Sequence, residues 1–219
     1  MKTRALFASL LLPFCSHAAD TLHVYNWADY VSPDVVKAFE KANNCKVVID
    51  TFDSNESMYA RLKAGATGYD LIFPTSYMVK VMQEEGLLLD LDHAALPGMK
   101  NIDPEVLSKV HDQAMKVSVP YTVGYAVIAV RKDRVNDVKP SWAMFDRGDL
   151  GRRSTLLDDM RETLGAALKS LGYSLNSRDE KELAAARDVV IRWKKNIAKF
   201  DNEGYKAGLD SGEFLMVHG

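Results

Sequence analysis

Cysteine is scarce in this sequence: there are two in 219 residues, Cys15 and Cys45. Cys15 lies in an apolar N-terminal run, so Cys45 is the only cysteine beyond it. No internal disulfide framework can be built, and stability must come from packing. Long apolar stretches are also missing. The run from Ala5 to Cys15 is about eleven residues, against the ~20 that a membrane-spanning helix needs. Nor is there an excess of positive charge: 28 Lys and Arg against 30 Asp and Glu give a formal charge of −2, the wrong bias for a nucleic-acid binder. Beyond residue 19 the histidines are His23, His93, His111 and His218, with no pair at i, i+3 or i, i+4, and Cys45 has no sulfur partner, so the usual zinc spacings are absent. No G-x-S-x-G elbow, Walker loop, internal repeat or low-complexity segment is found. A two-carboxylate glycosidase built on Asp159 and Glu162 would hang both acids from one helical turn, whereas such enzymes hold them on opposite sides of the bond. The chain reads as a non-enzyme that needs no cofactor and no metal.

What is present begins at the N-terminus. Lys2 and Arg4 precede the apolar run, which ends in the small-residue stretch Ser16-His17-Ala18-Ala19. That is the pattern of a cleavable secretory signal peptide over residues 1–19. Pro13-Phe14 are too bulky for the small residues expected before an acylated Cys15. The mature chain then carries a formal charge of −4 and is expected to be a soluble, exported monomer with no nucleic-acid partner. With 47% hydrophobic and 26% charged residues it is an ordinary globular composition, large enough for one or two domains.

Short β-type runs alternate with helical patterns, the signature of βαβ units around a mostly parallel sheet. Leu22 to Tyr25 is the first strand. Ser32-Pro33 opens a helix with Val35, Val36, Phe39 and Ala42 at helical spacing, closed by Asn43-Asn44. Lys46 to Thr51 is the second strand, Asp53 with Glu56 reads as a capping box for a helix over Met58 to Ala64, and Leu71 to Phe73 is a third strand. Lys116 to Val130 is β-rich, and the charged turn Arg131 to Pro140 follows it. A lobe crossover is read there, dividing a first lobe at residues 20–125 from a crossover and partial second lobe at 126–219. In the second lobe, Ser154 to Leu157, Ile197 to Phe200 and Phe214 to Val217 read as strands. Thr163 to Leu171 and Asp179 to Lys195 read as helices.

Three loops carry candidate chemistry, all where an open α/β sheet binds ligands, beyond the carboxyl ends of its strands. Trp27 and Tyr30 follow the first strand and can wall an aromatic box for an ammonium group and its alkyl chain. Alternatively they staple the loop to the next helix. Thr75 and Tyr77 follow the third strand, where Thr75 or Ser76 is equally a helix N-cap. Asp159 and Glu162 follow Leu157. They have the spacing of a capping box, yet fixed negative charges at that place would also hold cations.

These loops occur together with further motifs. Tyr25-Asn26-Trp27 to Tyr30, Ser54-Asn55-Glu56-Ser57-Met58-Tyr59, Tyr69-Asp70-Leu71, Pro74 to Tyr77, Val119-Pro120-Tyr121 with Gly124, Ser141-Trp142, Leu157-Asp158-Asp159 with Arg161-Glu162, Leu171 to Ser174 and Gly212-Glu213 stand in one order along the chain. Together they resemble the periplasmic spermidine/putrescine-binding proteins of polyamine ABC transporters. The resemblance implies a type II periplasmic-binding-protein-like α/β fold of two lobes, each a sheet flanked by helices, with a polyamine in the interlobe cleft and a membrane permease as partner. By position, Trp27, Tyr30, Thr75 and Tyr77 would line the first-lobe wall, and Asp159 and Glu162 would bind ammonium groups from the second lobe. Ala28 stands where such proteins often carry Ser or Thr. Those proteins also run roughly a hundred residues further, so an incomplete, unstable second lobe, a partial site and weak or no polyamine affinity are expected.

Overall fold

A computed structural model of the chain describes residues 20–219, so the signal peptide read at 1–19 lies outside the described residues. The β-branched and aromatic residues of β1 (Asp20–Trp27) and β2 (Cys45–Phe52) pair in parallel along all eight residues of each strand, from Asp20 opposite Cys45 to Trp27 opposite Phe52. Both strands run past the ends expected from their apolar runs, because backbone pairing continues where the side chains turn polar. Between them, α1 (Pro33–Asn43) starts at Ser32, whose hydroxyl accepts from the Asp34 amide, and stops where Asn44 turns left-handed at φ 48°.

Helix α2 (Asn55–Lys63) corrects the expected capping box. Its cap is Ser54, whose hydroxyl accepts from the Ser57 amide, and neither Asp53 nor Glu56 plays that part. Strand β3 (Leu71–Ile72) adds to the other side of β1, giving the order β2-β1-β3, and α3 (Ser76–Glu84) follows. Tyr25, Phe52, Met58, Met78 and Met82 form the buried centre of this unit. A short α4 (Pro104–Leu107) precedes the crossover.

The β-rich reading of Lys116 to Val130 holds only at its end, in β4 (Ile128–Val130). The Asp112 carboxylate accepts from the amides of Lys116, Val117 and Ser118 at 2.8–2.9 Å and turns the chain there. Pro120 then has no N–H to offer a ladder. The second sheet has the order β4-β7-β5-β6, from β5 (Ser154–Leu156), β6 (Lys199–Phe200) and β7 (Met216–His218). Strand β4 runs antiparallel to β7, while β5 runs parallel to both β6 and β7.

Helices α5 (Met160–Ser170) and α6 (Glu180–Trp193) pack against each other, and their apolar faces join Phe145, Leu156, Ile197 and Met216 in the larger of two buried clusters. Helix α7 (Tyr205–Ser211) was not foreseen from the sequence. It is short, and its C-terminal carbonyls are held from a distance: Arg131 donates to Leu209 and Asp210, and Arg153 to Gly212 and Glu213 in the turn beyond. The architecture is thus two sheets flanked by helices, as expected.

Candidate functional site

The first wall stands at the carboxyl ends of β1 and β3. Trp27 is the last residue of β1. Its indole Nε1 donates to the Phe73 carbonyl at 2.9 Å, and its ring packs on Phe52 with centroids 4.6 Å apart. The indole is therefore fastened across the sheet, to β2 and to the exit of β3, and not to α1 as a staple would be. Asp29 takes a left-handed φ of 61°, which turns the loop back and sets the Tyr30 ring 6.2 Å from Trp27 at an interplanar angle of 37°. Tyr30 is 45% exposed, and the Tyr121 hydroxyl donates to its carbonyl at 2.5 Å. A rigid indole and an exposed phenol thus form one tilted aromatic face.

Thr75 sits at the N-cap position of α3, yet its side chain caps nothing. Instead the buried Asn55 clips it: Nδ2 of Asn55 donates to Thr75 Oγ1 at 2.7 Å, and Oδ1 accepts from the Thr75 amide at 2.8 Å. Two residues on, the Tyr77 hydroxyl donates to Glu56 Oε1 at 3.0 Å. Burial raises this hydroxyl far above its ordinary value, and the Glu56 charge and hydrogen bond add to the effect, so it stays a neutral donor. The other Glu56 oxygen is buried with no hydrogen-bond partner. The local spacing read Glu56 as half of a capping box, and Asn55 carried no reading of its own. Their partners lie about twenty residues away, and the only sequence sign of them is that both fall inside the Ser54-to-Tyr59 motif.

The second wall is the turn from β5 into α5. Asp159 is 8% exposed and does cap the helix, with Oδ1 accepting from the Glu162 amide at 2.9 Å. Burial raises its carboxyl above the ordinary range. The Glu162 amide opposes that shift, and the nearby Glu56 charge reinforces it. Glu162 is open to solvent as a residue, but atoms packed around its carboxylate and then the charge of Asp159 raise it too. An acid held above its usual value by desolvation is relieved when a cation reaches it.

The two walls meet. The Arg161 guanidinium lies over the Tyr77 ring at 4.4 Å. Asn202 donates to the carbonyls of both Asp53 and Asp158 at 3.1 Å, and Lys206 pairs with Asp29 at 3.4 Å. Tyr77, Asp159 and Glu162 thus come together at one crossing point, while Trp27 and Tyr30 form a neighbouring face on the same sheet edge as Thr75. Among the described residues, no group of three His, Cys, Asp or Glu side chains is placed to hold a metal ion. The arrangement suits a solute with cationic ends and an apolar middle.

Residues 34–219 match the family described as bacterial extracellular solute-binding protein. The spermidine/putrescine-binding periplasmic protein of Salmonella typhimurium is 38% identical over 192 residues, which is 86% of this chain and 55% of that protein. The putrescine/cadaverine-binding protein of Pseudomonas aeruginosa is 33% identical over 227 residues, covering 100% of this chain and 64% of that one. Among solved structures, the TpPotD lipoprotein of Treponema pallidum superposes with a TM-score of 0.83 at 42% identity, over 91% of this chain and 63% of that one. The chain spans 55–64% of the length of these relatives.

Proposed function

The chain belongs to the bacterial extracellular solute-binding proteins, and from that premise we propose that it captures a polyamine of the putrescine or spermidine kind between its two lobes and delivers it to an ABC permease. The observation that carries this reading is the pairing of an aromatic wall, Trp27, Tyr30 and Tyr77, with two carboxylates on one turn, the buried Asp159 and the more open Glu162, both raised above the ordinary range. A diamine answers both: its ammonium ends relieve the desolvated acids, and its methylenes lie on the rings. The loops named for the site carry more acid than base, which suits an amine better than an anionic solute. A role outside the cytoplasm and without catalysis is part of the proposal, supported by the leader read at residues 1–19 and by the periplasmic relatives. So is the division into lobes at residues 20–125 and 126–219.

Calorimetric titration with putrescine and spermidine tests it. Charge-assisted hydrogen bonds contribute about 1.5–3 kcal/mol each, so Asp159→Asn or Glu162→Gln should weaken binding by roughly ten- to a hundredfold. Both carboxyls are raised, so they take up protons at a higher pH than ordinary acids do. Affinity should therefore be flat near neutrality and begin to fall, on acidification, before the ordinary carboxylate range is reached. No uptake of either amine at millimolar concentration would overturn the proposal.

A further inference from the structure

The lobes touch through a side chain that the functional reading leaves unused. The Arg161 guanidinium carbon lies 4.4 Å from the centre of the Tyr77 ring, and its Nη2 donates at 2.6 Å to the amide oxygen of Asn176, a neutral partner. The Tyr77 hydroxyl meanwhile donates to Glu56. One ring therefore carries a carboxylate at its polar end and a cation over its face. Glu56 holds the hydroxyl of the same ring, while Asp159 and Glu162 flank Arg161 in sequence and lie within electrostatic reach of it, so that it offsets part of their charge.

We propose that Arg161 is the resident cation of the crevice: it pins the second lobe to Tyr77 before a solute arrives, and it sets how much positive charge the solute has to bring. The pin rests on the stacking geometry alone. The charge-setting half rests on the polyamine reading above. With Arg161 in place, three carboxylates face one fixed cation, a balance suited to a dication. Without it the cluster has room for a third positive charge, so a triamine gains more than a diamine.

Two variants separate the effects: Arg161→Gln removes the charge over the ring, and Arg161→Lys keeps the charge but not the planar guanidinium. In the full chain, with Cys15→Ser and Cys45→Ser, spin labels at Lys41→Cys and Lys169→Cys report the distance between lobes by electron–electron double resonance. A cation over an aromatic ring shifts an equilibrium by about 2- to 30-fold, depending on desolvation. Arg161→Gln should raise the ratio of long to short distances by that factor in solute-free protein, and Arg161→Lys by less. An unchanged distribution in Arg161→Gln overturns the pin. Titration with putrescine and spermidine should show Arg161→Gln shifting preference toward spermidine by roughly tenfold, the effect of one added charge-assisted contact. An unchanged preference overturns the charge-setting half. If parent and variant alike take up no polyamine, both the polyamine reading and the charge-setting half fail, while the label distances still decide the pin.

Discussion

His218 shows how much a single side chain can decide. It lies on β7 with none of its surface exposed and its ring edge-on to Trp142 at 4.8 Å, and neither ring nitrogen has a hydrogen-bond partner. Burial pushes its pKa down to about 4, from an ordinary value of 6.5. The unfolded chain then takes up a proton that the folded chain refuses, so stability is full above pH 6.5 and falls as the pH drops toward 4. The loss is about 3 kcal/mol across that window. His218→Phe keeps a ring against Trp142 and removes two unpaired buried nitrogens. It should raise the melting temperature at pH 5 and flatten the slope between pH 4 and 6.5, and an unchanged slope in thermal melts at stepped pH would count against this account. At this scale the sequence was legible where chemistry is local. Trp27 and Tyr30 could be placed because they leave a strand end, and Asp159 because its own helix amide answers it. Glu56 and Asn55 could not, since what they do depends on Tyr77 and Thr75, which only folding brings near.

Among the elements, those with their own start and stop signals were legible from sequence: α1 between Ser32 and Asn44, α5 from Asp159 and α6 from Asp179. Helix α7 has a stop signal, Gly212 at a left-handed φ of 80°, but no side chain caps its start, and its existence depends on neighbours. Gly208 is its contact point: a Cβ built there would lie 2.3 Å from Phe214 Cδ2, so the helix packs at this position only because a side chain is missing. Gly208→Ala forces the ring or the helix to move and should cost about 1–3 kcal/mol, despite alanine's better helix propensity. Urea unfolding reads it directly, and a variant as stable as the parent would show that α7 shifts freely. The opposite holds at residues 116–127, where β-branched and aromatic residues suggest a strand that does not form. Propensity there describes side chains, whereas a strand needs a partner: Asp112 takes the amides of Lys116, Val117 and Ser118, Pro120 has no N–H, and backbone pairing starts at Val127, opposite Gly219.

On the scale of the whole molecule, that same stretch is an exposed apolar feature. Val119, Tyr121, Val123, Tyr125 and Val127 recur at every second position, all exposed, with Tyr125 at 83%. From Val119 to Tyr125 no ladder pairing holds this extended, apolar stretch, and such a segment is prone to pair with its like. Concentration-dependent self-association is therefore expected, and Tyr125→Lys should suppress it in static light scattering. A scattering curve that the charge leaves unaltered would assign any association to another surface. The division into two buried clusters was legible in outline, from the alternation of strand and helix patterns on either side of the crossover. The contacts that hold the two units against each other were not, because Arg161, Asn202 and Lys206 look like ordinary solvated residues until their partners in the first unit are placed.

Along the described residues the chain passes from the first sheet to the second only once, through 117–127. The two units are therefore links in series and not strands of one rope. A load applied between Asp20 and Gly219 passes through each of them in turn once the Arg161, Asn202 and Lys206 contacts between them have given way. Stretched as a single molecule, the protein should lengthen in two separate events, the weaker unit yielding first while the other remains folded.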